Sequence, residues 1–353
     1  MLAGRGKTLG ALKASLMNSA EHIHSNPQIV IIGGGGGCAT LFPEFAAHTE
    51  NATAVVSMSD DGGSTGRLSR ELNVPAVGDL RNVMMAASRN AAVRDMRYNR
   101  LDGDGGLHGH SMGNIALAAC IQTYGFEQGL QVAHQMWDVP GEVLPVTLEP
   151  HHLVMEDGSA TVVTENEIDE YKTTSREPWL RHDPVPGLNR LVGERIRSAD
   201  AIVFAAGSVY TSQLAALLVG EMREELAATS APKILVANVV AEPHQTRDWH
   251  VADYVNTLRR HGVPLDVVLY NNVALDPSIL EQYAHDGECL VDFAPERFKE
   301  IGSVQAIGAD IISRVGLTFS PHDVVKRGRI RHDAAAVRRH IWGLLAARPR
   351  ATV

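Results

Sequence analysis

Short, largely apolar runs alternate along this chain with segments of helical period, and that alternation sets the first expectation about the fold. Ile29 to Ile32, Ala54 to Met58, Ala201 to Ala206, Ile234 to Val239 and Leu265 to Tyr270 are such runs. Being short and rich in Val and Ile, they suit strands buried on both faces. Between them, Leu80, Val83, Met84 and Ala87 recur on one helical face, as do Ile115, Ala118, Ala119 and Gln122. Strands and helices in turn predict an α/β fold: a Rossmann-like, mostly parallel sheet with helices on both faces. One stretch breaks the pattern. Leu153 to Glu156 and Thr161 to Thr164 flank Asp157 and Gly158, a hairpin signal. A small antiparallel hairpin insertion is therefore expected at about 150–186, beside an irregular stretch from Glu167 to Pro186. Residues 1–26 read as a polar N-terminal extension and 27–345 as a single large domain.

Glycine-rich loops follow several of these strands. The run Ile29 to Ile32 leads into five consecutive glycines, Gly33, Gly34, Gly35, Gly36 and Gly37, and then a helical pattern. Glycine lets the backbone turn and approach an anion closely, and a helix N-terminus attracts phosphate. A tight structural turn is the competing reading. A second loop, Asp60, Asp61, Gly62, Gly63, Ser64, Thr65, Gly66 and Arg67, follows the next strand. Asp60 falls at the distance from the glycines where a dinucleotide-binding unit carries its ribose-binding acid. Asp60 and Asp61 point to opposite sides in extended chain, so only one should face a ligand.

Three further segments extend the set. Gly78, Asp79, Leu80, Arg81 and Asn82 open a helix, with Asp79 placed as its N-cap and Arg81 as a phosphate or carboxylate clamp. Gly109, His110, Ser111, Met112 and Gly113 match the spacing of a nucleophile elbow, but no strand precedes them. A glycine loop capping a helix, with His110, Ser111 and Asn114 turned to the ligand, is the preferred reading. Gly207, Ser208, Tyr210, Thr211 and Ser212 follow a strand and precede a helix, where the hydroxyls serve either as ligand groups or as an N-cap. His151 and His152 lack a further spaced partner for a metal. Loops opening at Gly33, Asp60, Gly78, Gly109 and Gly207 should converge at the carboxyl ends of the strands, with Arg67, Arg81 and Arg331 making a positive pocket.

Composition narrows the partners. A net charge of −9 over 353 residues argues against nucleic acid or anionic membranes as partners. Three widely spaced cysteines fit reduced thiols in a cytoplasmic protein. No apolar run is long enough to span a bilayer, so no membrane insertion is expected.

Taken in order, these segments carry a resemblance to the gluconeogenesis factor family, which shares a superfamily with the 2-phospho-L-lactate transferases. The matching residues are Ile31 to Gly37, Asp60 to Arg67, Gly78 to Asn82, Gly109 to Asn114, Val143 to Pro145, Gly207 to Ser212 and Ile330 to Asp333. The transferase branch would be expected to carry a Gly-Asp-Arg-Asp-Leu-Ala-Thr-His segment where this chain has Gly109 to Asn114. What the resemblance implies is a cytoplasmic protein that binds UDP-sugars, UDP-N-acetylglucosamine in particular, and influences cell shape and growth on gluconeogenic carbon. It implies ligand roles for Tyr283 and Arg331, with Asn238 in the same set, and no established reaction. A homodimer is compatible with it. The resemblance fixes no cofactor; magnesium is the candidate, and the alternative is a magnesium-dependent transferase with Asp60 on the metal and Arg81 at the developing charge. The family's usual Gly-Gly-Gly-Thr-Gly is all glycine here, and the segment from Val239 to Thr246 departs from the family pattern.

Overall fold

The computed structural model describes residues 26–275, 277–285, 288–314 and 330–347. Seven strands form the central sheet: β1 (Ile29–Gly33), β2 (Ala52–Val56), β3 (Glu142–Pro145), β7 (Ala201–Phe204), β8 (Lys233–Val236), β10 (Val267–Asn271) and β12 (Gln305–Ala309). Their order is β12-β10-β8-β7-β1-β2-β3, and every neighbouring pair is parallel; β9 (Val240–Ala241) and β11 (Cys289–Leu290) pair antiparallel outside this sheet. β1 and β7 are wholly buried, as runs lacking polar residues require. From β1 the chain moves first to β2 and β3, and only later to β7 on the other side. The order therefore reverses between β1 and β7, and a crevice opens beyond their carboxyl ends.

Helices cover the sheet. The face Leu80, Val83, Met84 and Ala87 is buried on the helix Gly78–Ala87, as its period predicts. On the helix Met112–Tyr124 the phase differs: Asn114, Leu117, Ala118 and Ile121 are buried, whereas Ala119 and Gln122 are exposed. Small alanines on both faces give that helix a weak apolar stripe, so periodicity misplaced it. The edge strands β3 and β12 were not expected either; they are short and hold Pro145, Gln305 and Gly308.

The hairpin forms as β4 (His152–Asp157) and β5 (Ala160–Val163), and β6 (Trp179–Asp183) pairs with the other side of β4. The stretch expected to be irregular thus supplies a third strand and a short helix, Glu165–Glu170. Residues 1–25 of the expected N-terminal extension lie outside the described residues.

The helix following β1, Gly35–Ala46, has glycine at Gly35 and Gly37 because their neighbours leave no room for a side chain. A Cβ on Gly37 would stand 2.1 Å from the Ala206 carbonyl oxygen, whereas one on Gly36 would meet nothing within 4 Å. Gly37→Ala should therefore destabilise the fold by about 2 kcal/mol or more despite alanine's better helix propensity. Gly36→Ala should be neutral or stabilising by up to about 1 kcal/mol. Urea denaturation of the two variants checks the contrast, and equal stabilities would contradict this packing.

Candidate functional site

The first glycine loop is not left open for an anion at its first N–H. Gly34 is the N-cap of the helix Gly35–Ala46 and has no side chain to cap it. Asp79 does so from another segment, its Oδ2 accepting the Gly35 N–H at 2.8 Å, while Asn82 Nδ2 donates to the Gly35 carbonyl at 3.0 Å. Asp79 thus caps the neighbouring helix, not its own, whose N-cap is Val77. The next two N–H groups, of Gly36 and Gly37, have no intrahelical acceptor in a first turn.

The five loops meet through their own side chains. Ser64 Oγ lies 3.0 Å from His110 Nδ1, and Asn114 Nδ2 donates to Ser64 Oγ at 3.2 Å. Arg81 Nε donates to Asn114 Oδ1 at 2.8 Å, and its Nη1 donates to the carbonyl of Arg97 at 2.7 Å. Ser64, Thr65, Arg81, Asn82, His110, Ser111 and Asn114 are all buried. Gly78 is packed so tightly that a Cβ would stand 2.1 Å from Thr65 Oγ1 and 2.8 Å from Asp60 Oδ2. Arg67 is turned outward and donates to the carbonyls of Gly106 and His108. Gly207 and Asn238 exchange hydrogen bonds at 3.2 and 2.8 Å, and a Cβ on Gly34 would press on Ser212 Oγ. Ser208 accepts from Thr211 N–H and so caps its own turn. Tyr210 is completely buried, edge-on to Trp249, and belongs to the core.

Beyond the β1–β7 switch point lies a cavity of about 250 Å³. Its walls bring together Gly36, Gly37, Gly207, Asn238, Tyr283 and Arg331 with Thr40, Arg97, Tyr98, Val240 and His332. Tyr283 is buried, and its hydroxyl accepts the Ile330 N–H at 2.7 Å, which places Arg331 next to it. His332 is held against the Ala237 carbonyl at 3.0 Å, and burial pushes its imidazole down to about 4, so it is neutral at pH 7. Arg97 and Tyr98 carry no glycine or motif signal, and nothing in the sequence marked them.

The acidic residues gather elsewhere. Asp60, Asp61 and Glu165 line a second cavity of about 780 Å³ with Arg70, His151 and Thr164. Asp61 Oδ1 accepts the Asn166 N–H at 3.1 Å, and Thr211 Oγ1 donates to Asp169 Oδ1 at 2.6 Å, so the helix Glu165–Glu170 is fixed at both ends. Burial, then Asp169, Asp60, Asp79 and Asp61, push Glu165 up to about 9. Burial raises Asp60 and Asp169 as well; much of Asp169 reaches solvent, but its carboxyl end turns in to Thr211. Burial and Asp169 push Glu242 up to about 7.

A family model for CofD, 2-phospho-L-lactate transferase, matches residues 29–312. The gluconeogenesis factor of Bacillus subtilis is 34% identical over 318 residues, covering 88% of this chain and 96% of that protein. A putative gluconeogenesis factor of Deinococcus radiodurans is 31% identical, covering 97% of this chain and 71% of its own. This chain belongs to the gluconeogenesis factor family. A crystal structure of a Bacillus halodurans protein superposes with a TM-score of 0.80 at 28% identity, covering 90% of this chain and 99% of that one.

For this family member the geometry redistributes the residues singled out in the sequence. Gly37, Gly207, Asn238, Tyr283 and Arg331 share the switch-point cavity; Asp60 and Asp61 line the other. Of the three arginines expected to make one positive pocket, only Arg331 lines the former, with Arg97 beside it. No helix among the described residues is long and apolar enough to cross a membrane.

The raised carboxyl of Glu165 fixes a pH dependence. Its folded pKa lies above the ordinary value of 4.5, so the folded protein holds a proton that the unfolded chain releases. The stabilising contribution is complete below about pH 4.5 and is lost as pH rises towards 9. Glu165→Gln should raise Tm at pH 8.5 and leave it nearly unchanged at pH 4.5. A variant with no gain at pH 8.5 would show that this carboxyl titrates normally.

Proposed function

We propose that this protein binds a UDP-sugar of the UDP-N-acetylglucosamine type, with its nucleotide diphosphate in the switch-point cavity. The observation that carries the reading is the cavity wall. The first-turn residues Gly36 and Gly37, with Arg331, Asn238 and Tyr283, come from four separated stretches of chain to one crevice. N–H groups at a helix start and an arginine fork are the groups that a diphosphate needs. At about 250 Å³ the cavity is near the lower end for ligand sites, which suits the nucleotide part of a larger ligand. The family relationship supports a regulatory role in carbon metabolism and cell shape, exercised by ligand binding in the cytoplasm.

The residues as they stand do not fit magnesium at Asp60. Its Oδ1 accepts the Gly62 N–H at 3.0 Å, and burial favours the protonated carboxyl. Among the described residues no three or more His, Cys, Asp or Glu side chains are arranged to hold a metal ion. Arg81, the other residue of the transferase alternative, is tied to Asn114 and to the Arg97 carbonyl. Binding without turnover is the stronger reading.

Titration calorimetry with UDP-N-acetylglucosamine tests it directly. Binding should saturate, and Arg331→Ala should weaken it by about 1.5–3 kcal/mol if the guanidinium makes charged hydrogen bonds to phosphate. No heat at millimolar ligand with folded protein would dispose of the nucleotide-sugar assignment. Wild-type affinity in Arg331→Ala would take that residue out of the site.

A further inference from the structure

We propose that Ser59 and His151 form a nucleophile–base pair in the larger cavity, fitted to hydrolyse carboxylic esters that carry no negative charge. The pair lies outside the switch-point cavity, so the inference does not depend on the UDP-sugar reading.

Ser59 follows β2 at the carboxyl end of the sheet, and His151 stands just before β4. Both line the cavity of about 780 Å³. Ser59 Oγ lies 3.1 Å from His151 Nε2, within reach for proton transfer. The other ring nitrogen settles the direction. His151 Nδ1 is 2.9 Å from the Glu149 carbonyl oxygen, which can only accept, so Nδ1 carries the proton. Nε2 is then bare and takes the Ser59 hydroxyl as its donor. Ser57 Oγ donates to Ser59 Oγ at 3.4 Å, which leaves the Ser59 proton for the imidazole. Nucleophile, base and a third group orienting the base are thus all present.

The surroundings keep the base ready. Burial holds His151 below the ordinary imidazole range, so the ring is neutral and able to take a proton at pH 7. His182 packs edge-on to it, 4.8 Å between centroids, and gives its own Nε2–H to the Ala215 carbonyl at 3.1 Å. Burial pushes His182 down to about 3, so it fixes the ring without competing for the proton. In elbow hydrolases the residue after the nucleophile supplies an N–H to the oxyanion. Here that residue is Asp60, whose N–H donates to no acceptor among the described residues. Ser111, which has the elbow spacing, lacks a base: its buried Oγ has no hydrogen-bond partner among the described residues.

Attack by Ser59 Oγ on the ester carbonyl carbon passes its proton to His151 Nε2, and the imidazolium gives it to the departing alcohol oxygen. Water then attacks the acyl-serine, again through Nε2, releasing the carboxylic acid and restoring the Ser59 hydroxyl. Asp60, Asp61, Glu149 and Glu165, set against Arg70 in the wall, turn anionic esters away.

Treated with a fluorophosphonate probe, the full chain should carry an adduct that mass spectrometry maps to Ser59, its Oγ having displaced fluoride. Ser59→Ala should lose the adduct, and His151→Gln should slow labelling about 100-fold or more. The wild-type rate should gain little between pH 7 and pH 8.5, since the imidazole is already neutral at the lower value. p-Nitrophenyl acetate should release a burst of nitrophenol equal to the protein concentration. The wild-type adduct and pH profile decide the matter if either variant does not fold. No adduct on folded wild-type protein, an adduct on another residue, or the wild-type labelling rate in His151→Gln overturns the pair and leaves its hydrogen bond as a tie between two loops.

Discussion

The contact on which the rest of the site depends is the carboxylate of Asp79 on the N–H of Gly35. A helix N-terminus carries about half a positive charge, and β1 delivers one to the centre of the sheet. That position is the obvious anion site of the fold, and the protein fills it from within. The consequences spread outward. The helix Gly78–Ala87 is docked against the helix Gly35–Ala46, with Asn82 adding the bond to the Gly35 carbonyl. One turn of helix then serves three partners: Asp79 caps a neighbour, Asn82 locks it, and Arg81 reaches away to residue 97. On the proposed UDP-sugar reading, the ligand's negative charge would be met one step further along, at Gly36, Gly37 and Arg331 in the wall of the adjoining cavity.

A second constraint follows from the acids. Asp60, Asp61, Asp79 and Asp169 lie close enough to Glu165 to raise its proton affinity, and Asp60 and Asp61 raise that of Asp169. They persist together because the structure takes up protons and hydrogen bonds in place of solvent: Thr211 on Asp169, Gly62 on Asp60 and Asn166 on Asp61. The insertion is therefore more than an edge ornament. Its helix completes a wall of the larger cavity through Glu165 and is tied at its two ends to Asp61 and Thr211.

The parallel sheet was legible because its inner strands are short and largely apolar; β1, β2, β7, β8 and β10 were all placed from that signal. The edges were not. β3 and β12 are part-polar, and an edge strand needs less apolar sequence than a central one. In the site, glycine runs announced where the chain turns but not what fills the turn. Asp79 had the spacing of an N-cap, and it caps a helix that precedes it by more than forty residues. Tyr210 sat in a loop-like motif and lies in the core, since an aromatic after a glycine loop packs wherever the sheet has room. Arg97 shows the converse. No local pattern marks a residue whose carbonyl takes the Arg81 guanidinium and which lines the cavity beyond the switch point.

The two cavities differ in sign, and that difference orders the possible ligands. The larger one presents Asp60, Asp61, Glu149 and Glu165 against Arg70 and two histidines, and it lies in a chain of net charge −9. A diphosphate entering there would face carboxylates at close range, where low local dielectric strengthens repulsion. The smaller cavity has Arg97 and Arg331 in its wall and, among the described residues, no Asp or Glu. The overall negative field keeps anions from binding indiscriminately, so the local positive wall gives selectivity as well as attraction. The fold alone leaves the chemistry undecided, because the same sheet serves transferases and binding proteins alike. On the reading proposed here, the distribution of charge around the β1–β7 crevice is what would direct a nucleotide diphosphate to one side of it.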